Sequence, residues 1–254
     1  MSPAKSGDAF LGAIGILSII AIWEAASRGS LVSPATLPGP SAAIAVTLHT
    51  VGAADLAEDV IVSLQRILIG FAIGAGLGIS IGIAAGWFRW FGAIVSPIIE
   101  LLRPVPPLAW IPMAIIWFGL GEPSKIFVIV LGAFFPLVTN SYQGMVSVDP
   151  MLFRAAQTMG IRGFKLLVQV ALPAAFPDIA TGLRIGWGLS FGTLVAAELI
   201  AADSGLGYLI MHARELGEIG VVVCGILMIG VVNIATDFCI GRLIRSTVGT
   251  WHAV

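Results

Sequence analysis

Residues 149–173 read DPMLFRAAQTMGIRGFKLLVQVALP, the longest polar and charged stretch in an otherwise apolar chain. Asp149 followed by Pro150 is a helix start, a carboxylate cap with a ring-fixed φ at the first helical position. Leu152, Ala155, Ala156 and Met159 then fall on one face at helical spacing. Gly160 suits the left-handed turn that ends such a helix. A second short helix is expected after it, with Gly163, Leu166, Leu167 and Val170 on one side and Pro173 as its stop. Arg154, Arg162 and Lys165 are distributed through the stretch. Two readings are open on this evidence: a docking element for a partner, or an ordinary loop lying on a membrane surface.

The rest of the chain is written for lipid. Of 254 residues, 58% are hydrophobic and 11% charged, with a mean hydropathy of +1.02. Soluble domains carry about 25% charged residues, so the composition implies an all-α integral membrane protein. A spanning helix needs about 20 mostly apolar residues. Six windows qualify: 9–27, 61–86, 94–118, 125–145, 176–201 and 219–242. The first reads as a retained span rather than a signal peptide, because Glu24 stands where a small-residue cleavage site belongs. A single membrane domain over 1–254 is expected.

Basic residues set the orientation. With the N-terminus in the cytoplasm, Lys5, Arg89, Arg154, Arg162, Lys165, Arg242 and Arg245 fall inside, and Arg28, Lys125 and Arg214 outside. Both ends are then cytoplasmic, and so is 149–173. The outer segment SPATLPGPSAA (33–43) should run extended before a surface helix, its prolines forbidding a long one. Asp55, Glu58 and Asp59 beyond it read as a solvated helix start.

The second span has glycine at 70, 74, 78, 82 and 86, a small-residue stripe of the kind that lets helices approach closely in lipid. The fifth carries Gly182, Gly186, Gly188 and Gly192. The third contains Pro97, Pro104, Pro106, Pro107 and Pro112. Broken backbone at membrane depth survives only where protein buries it or a watery cavity solvates it, which points to a channel or transporter. After the turn at 203–207, a short apolar helix is expected to fold back as a gate or re-entrant piece.

Ionisable residues inside spans cost about 2.5–3.5 kcal/mol each at a helix centre. Glu100 and Arg103 are three apart and can pair on one face. Topology places Arg184 and Asp237 in the same inner half, and Arg66 and Glu198 in the outer half. Two clusters are expected: Glu100, Arg103, Arg184 and Asp237 inside, Arg66 with Glu198 outside. They are either buried structural ion pairs or the lining of a gated path.

No phosphate-binding G-x-x-x-x-G-K-[ST] is present, nor any Ser–His–Asp or paired-carboxylate arrangement. Cys224 and Cys239 lack zinc-type spacing, and His49, His212 and His252 are scattered. No catalytic residue, metal or cofactor is expected in this chain, and a net charge of −1 gives no sign of a nucleic-acid partner.

The stretch 149–173 resembles the cytoplasmic loop shared by permease subunits of binding-protein-dependent ABC importers. That loop reads Glu-Ala-Ala, three residues, Gly, nine residues, Ile, one residue, Leu-Pro. Ala155, Ala156, Gly160, Leu172 and Pro173 match it; Arg154 stands at the glutamate and Val170 at the isoleucine. Within that superfamily, ELLRPVPPLAWIP, IWFGLGEPSK, TGLRIG, TLVAAELIAA and the closing Trp251-His252 are similar to the taurine (aliphatic sulfonate) permease branch, grouped with nitrate and bicarbonate importers. The resemblance implies a type I importer permease fold in a bacterial inner membrane. It implies import by alternating access with two ATPase subunits, which carry ATP and magnesium, a second copy of the permease and a periplasmic binding protein. The loop would contact the ATPase through Arg154, Ala155, Ala156, Gly160, Leu172 and Pro173. Taurine or a related sulfonate is the first substrate, another small anion the alternative, and a self-sufficient secondary transporter a further one.

Overall fold

The computed structural model describes residues 4–29, 33 and 35–248, so the closing Trp251-His252 motif lies outside the described residues. In chain order the helices are α1 (Ala4–Arg28), α2 (Pro40–Thr50), α3 (Ala53–Trp87), α4 (Arg89–Leu102), a 3-10 turn (Pro107–Trp110), α5 (Ile111–Phe118) and α6 (Glu122–Val146). They continue with α7 (Pro150–Thr158), α8 (Phe164–Leu166), a π turn (Leu167–Ala171), α9 (Leu172–Ala201), α10 (Leu206–Leu216) and α11 (Ile219–Val248). No strand occurs among the described residues.

Among the described residues, four helical stretches are long and apolar enough to cross a membrane: Ala53–Trp87, Glu122–Val146, Phe164–Ala201 and Ile219–Arg242. A fifth is formed if α4 and the Pro107–Phe118 segment count as one span, broken by an 86° bend. The third expected span is thus a helix, a bend and a second helix. Arg103 is the C-cap of α4, and Pro104 and Pro106 follow it through the turn. The second span is longer than its apolar window, starting at Ala53 instead of 61 because the acidic Asp55 stabilises its first turn. The outer loop yields the expected surface helix as α2, with Pro40 in its first turn.

α6 is the central helix: 56% of its apolar stretch is buried against protein, compared with 17% for α11. Its seam with α3 follows the glycine stripe. Gly70, Gly74, Gly78, Gly82 and Gly86 face Ile129, Ala133, Leu137, Ser141 and Met145 in turn. Both series rise by four, so the two helices run parallel. A Cβ at Gly74 would stand 2.6 Å from the Val130 carbonyl oxygen and 2.7 Å from the Ala133 Cβ, so the backbones meet with no room for a side chain. α9 covers another face of α6. There Trp187, Phe191 and Leu194 pack with Ile67 and Ile129, and Phe71 meets Trp187 edge-on at 5.1 Å.

One sequence expectation is corrected. Pro173 does not stop a helix; Phe164–Ala201 is one helical stretch. Proline lacks an N–H and its ring crowds the carbonyl four residues back. The π turn over Leu167–Ala171 immediately precedes it, with Leu172 N donating to the Leu167 oxygen five residues earlier. Widening the helix by that one residue accommodates Pro173 without ending it.

The seam gives a direct test. Gly74→Val should lower stability by about 1–3 kcal/mol, the usual cost of overpacking, because the nearest atoms are the Val130 backbone and the short, rigid Ala133 side chain. Gly76→Val, on the same helix with nothing within 4 Å, should leave the thermal midpoint in detergent unchanged. Equal midpoints for the two variants would contradict the close seam.

Candidate functional site

Three features are built on this frame: a polar network at the far end of α9, the loop 149–173 at its near end, and a row of cavities beside α6.

The network is centred on Arg66, 3% exposed, and Glu198, 1% exposed. Arg66 Nη1 donates to Glu198 Oε1 at 2.9 Å and to the Ser204 carbonyl at 2.6 Å. Its Nε and Nη2 donate to the two Glu122 oxygens at 2.8 and 2.6 Å, a bidentate pair. Lys125 Nζ donates to Glu122 at 2.9 Å and lies 3.6 Å from Asp203. The same cluster caps α10. The amides of Gly205, Leu206 and Gly207 donate to Asp59 at 2.6 Å, Ser63 Oγ at 2.9 Å and Glu198 Oε2 at 2.9 Å. These are the N–H groups that a helix start leaves without partners, and here α3 and α9 supply the acceptors. Gly205 is required twice over. Its φ is +105°, and an added Cβ would collide with Glu198 and Arg66.

The expected meeting of Arg66 and Glu198 is present. The sequence reading missed Ser63, Asp59, Glu122, Lys125 and Ser204. Glu122 and Lys125 were legible only as a charged first turn after Gly121. Nothing local in the sequence ties them to Arg66, 56 residues away.

In the loop, Asp149 caps α7, its carboxylate accepting from Met151 N at 2.8 Å. Gly160, at φ +84°, ends the helix. Its amide donates to the Gln157 oxygen and that of Ile161 to the Ala156 oxygen, both at 3.0 Å, the paired bonds of a glycine-terminated helix. The expected apolar face divides. Ala156 is 6% exposed, turned into the bundle on the side where Phe153 meets Trp87. Leu152, Ala155 and Met159 are exposed, together with Met151, Arg154 and Phe164; Met159 is 79% and Phe164 76% accessible. Leu172 and Pro173 belong to α9 rather than to a separate short helix.

The inner quartet also divides. Arg184 Nη2 lies 3.4 Å from Asp237, linking α9 to α11. Glu100 and Arg103 form no ion pair with one another among the described residues, because Arg103 stands where the chain leaves α4 for the bend. They line cavities beside α6 instead. A cavity of about 710 Å³ runs from Pro150 and Phe153 to Ser96 and Tyr142. A second, about 210 Å³, shares Ser96 and Tyr142 and reaches Glu100 and Arg103. A third, about 240 Å³, shares Arg103 and Thr139 and extends between α6 and α9.

An all-helical membrane bundle with a broken span, a row of cavities and an exposed loop at one end has the architecture of a transport permease. The comparisons agree. Residues 74–248 match the model of the binding-protein-dependent transport system inner membrane component family. The chain is 39% identical to the taurine transport system permease protein TauC of Escherichia coli, over 94% of this chain and 89% of that one. It is 33% identical to the bicarbonate transport system permease protein CmpB of Synechococcus elongatus, over 91% and 86%. Its fold is similar to a chain of the MetNI methionine ABC transporter in inward-facing conformations. That match has a TM-score of 0.60 and 20% identity, covering 72% of this chain and 92% of the other. The chain therefore belongs to the binding-protein-dependent inner membrane component family. It is an ABC importer permease of the taurine and sulfonate branch, a multi-pass transport subunit and not an enzyme.

For the network, Arg66→Ala should destabilise by about 3–5 kcal/mol, the cost of leaving a buried charge without its partner. Adding Glu198→Gln should recover part of that loss, since one stranded carboxylate is then neutral. Strict additivity of the two effects in a double-mutant cycle would exclude the coupling.

Proposed function

We propose that this chain is the membrane subunit of an ATP-driven importer of taurine or a related aliphatic sulfonate. Two copies pair, two ATPase subunits dock on the loop 149–173, and a periplasmic binding protein delivers the ligand at the opposite face. ATP and magnesium are held by the ATPases. The whole chain, 1–254, forms one permease domain with six spans and both ends in the cytoplasm.

The observation that carries this reading is mechanical. The exposed apolar groups Met151, Leu152, Met159 and Phe164 form a docking surface at the foot of Phe164–Ala201, a stretch of 38 residues. At 1.5 Å per residue that stretch is roughly 55 Å long, and near its far end stands Glu198, bonded to Arg66 and to the start of α10. A push on the loop is thereby delivered to the outer network by one helix. ATP-driven closure of the ATPases would supply the push, and release of the outer contacts would alternate access. Arg154 is exposed on α7, where it would meet the ATPase with a charge opposite to that of the loop's usual glutamate.

The sulfonate assignment rests on the higher identity to TauC than to CmpB and on the sequence segments given above. Bicarbonate or nitrate is the second reading, favoured by the resemblance to the bicarbonate permease. Purified permease reconstituted with its ATPases and binding protein should hydrolyse ATP faster when taurine is added, and bicarbonate should leave the rate at its basal value. The reverse order of stimulation would make the second reading correct.

The docking role has its own test. Gly160→Pro forces a negative φ on a residue held at +84°, and Ala155→Asp places a charge on the exposed face. Both should insert into the membrane normally, bind the ATPase more weakly than wild type, and lose ligand-stimulated transport. Ala156→Asp should instead lower thermal stability, because its side chain is buried in the permease itself. Wild-type transport by both Gly160→Pro and Ala155→Asp would refute docking through α7.

A further inference from the structure

We infer that the cavity of about 240 Å³ between the bend and the α6–α9 seam is an anion site within the permease, with Arg103 as its charged contact. The inference deepens the importer reading and rests on it.

Arg103 is exposed at the turn of the broken span and takes part in no ion pair among the described residues. By contrast, Arg184 has Asp237, and Arg66 has two carboxylates. An arginine in a span without a counter-ion is costly unless a pathway supplies water or a ligand. The surroundings of Arg103 fit a ligand. Among the described residues it is the only ionisable one lining that cavity, whose other polar side chains are Thr139 and Asn140. Asn140 Nδ2 donates one hydrogen to the Pro136 oxygen at 2.8 Å, which leaves its second amide hydrogen to donate. The remaining wall includes Leu131, Phe135 and Ile185. A guanidinium fork, an amide donor and an apolar wall suit a small oxyanion carrying a short aliphatic part.

The placement of the site gives it a role in transport. Arg103 and Thr139 also line the neighbouring cavity of about 210 Å³, where the carboxylate of Glu100 appears. That cavity in turn shares Ser96 and Tyr142 with the large one reaching the loop end of the bundle. Arg103 is thus the hinge between a compartment that attracts an anion and one whose carboxylate disfavours its staying. An anion held at Arg103 would be handed toward Glu100 and on to the cytoplasmic side.

The test uses the full complex of permease, ATPases and binding protein in liposomes, with radiolabelled taurine as the probe. Arg103→Gln should cut the maximal uptake rate by about ten-fold or more, the loss of one charge-assisted hydrogen bond. The taurine concentration giving half-maximal uptake should not change, because the binding protein sets it. ATP hydrolysis stimulated by the loaded binding protein should persist. Arg103→Lys, which keeps the charge and loses the fork, should transport at an intermediate rate. Asn140→Asp keeps the shape of the side chain and adds a negative charge to the cavity, and it should lose uptake as Arg103→Gln does. Asn140→Asp also decides the matter if Arg103→Gln fails to assemble. Wild-type uptake in Asn140→Asp, or in an assembled Arg103→Gln complex, overturns the assignment. If the wild-type complex takes up bicarbonate and not taurine, the same variants are read with bicarbonate. Uptake of neither anion by the wild-type complex defeats the importer reading, and this site with it.

Discussion

Direct backbone contact between α3 and α6 is the constraint on which the rest of the structure depends. In lipid no hydrophobic force draws two apolar helices together, so they associate through close packing. Glycine every fourth residue on α3 removes the side chains that would hold the helices apart, and Val130, Phe134 and Val138 present backbone oxygens close to the glycine positions. With α3 fixed to α6, Arg66 on one helix is brought to Glu122 at the start of the other. The Arg66–Glu122 contact is therefore a consequence of the seam. A shift along that seam by one residue would rotate Arg66 away from both its carboxylates.

Beside this pair, two spanning stretches depart from regular helix. Pro104 and Pro106 mark the bend that aims Arg103 at the cavities. The π turn before Pro173 lies where α9 meets the loop 149–173. Each is a site where backbone bonding is already loosened, and so where a change of shape meets less resistance than in α3 or α6.

Much of this was legible in the sequence. The Asp149-Pro150 start, the Gly160 turn, the glycine stripe and the proline-broken span each rest on local chemistry that few backbones satisfy, and each is present. What was not legible is of two kinds. Long-range polar partners such as Asp59 for the Gly205 amide, 146 residues apart, leave no periodic trace in one sequence. Facing is ambiguous where a helix is apolar on two sides: α7 turns Ala156 inward and Ala155 outward, and helical spacing alone groups them. The single inner cluster failed for a related reason. Which side of the bundle each residue occupies depends on the 86° bend, whose angle the prolines alone do not set.

The outer network also explains why α10 is where it is. A short helix following a tight turn has little of its own to hold it, and the N–H groups at its start need acceptors. Asp59 and Ser63 supply two of them from α3, and Glu198 supplies the third from α9. Glu198 thus serves three partners at once: Oε1 accepts from the guanidinium of Arg66, Oε2 accepts from the amide of Gly207, and the Ser63 hydroxyl lies within hydrogen-bond distance of both oxygens. Any displacement of α9 along its length must strain these contacts together. Release of α10 and weakening of the Arg66 pair are then a single event, and one helical stretch runs from the loop 149–173 to that carboxylate.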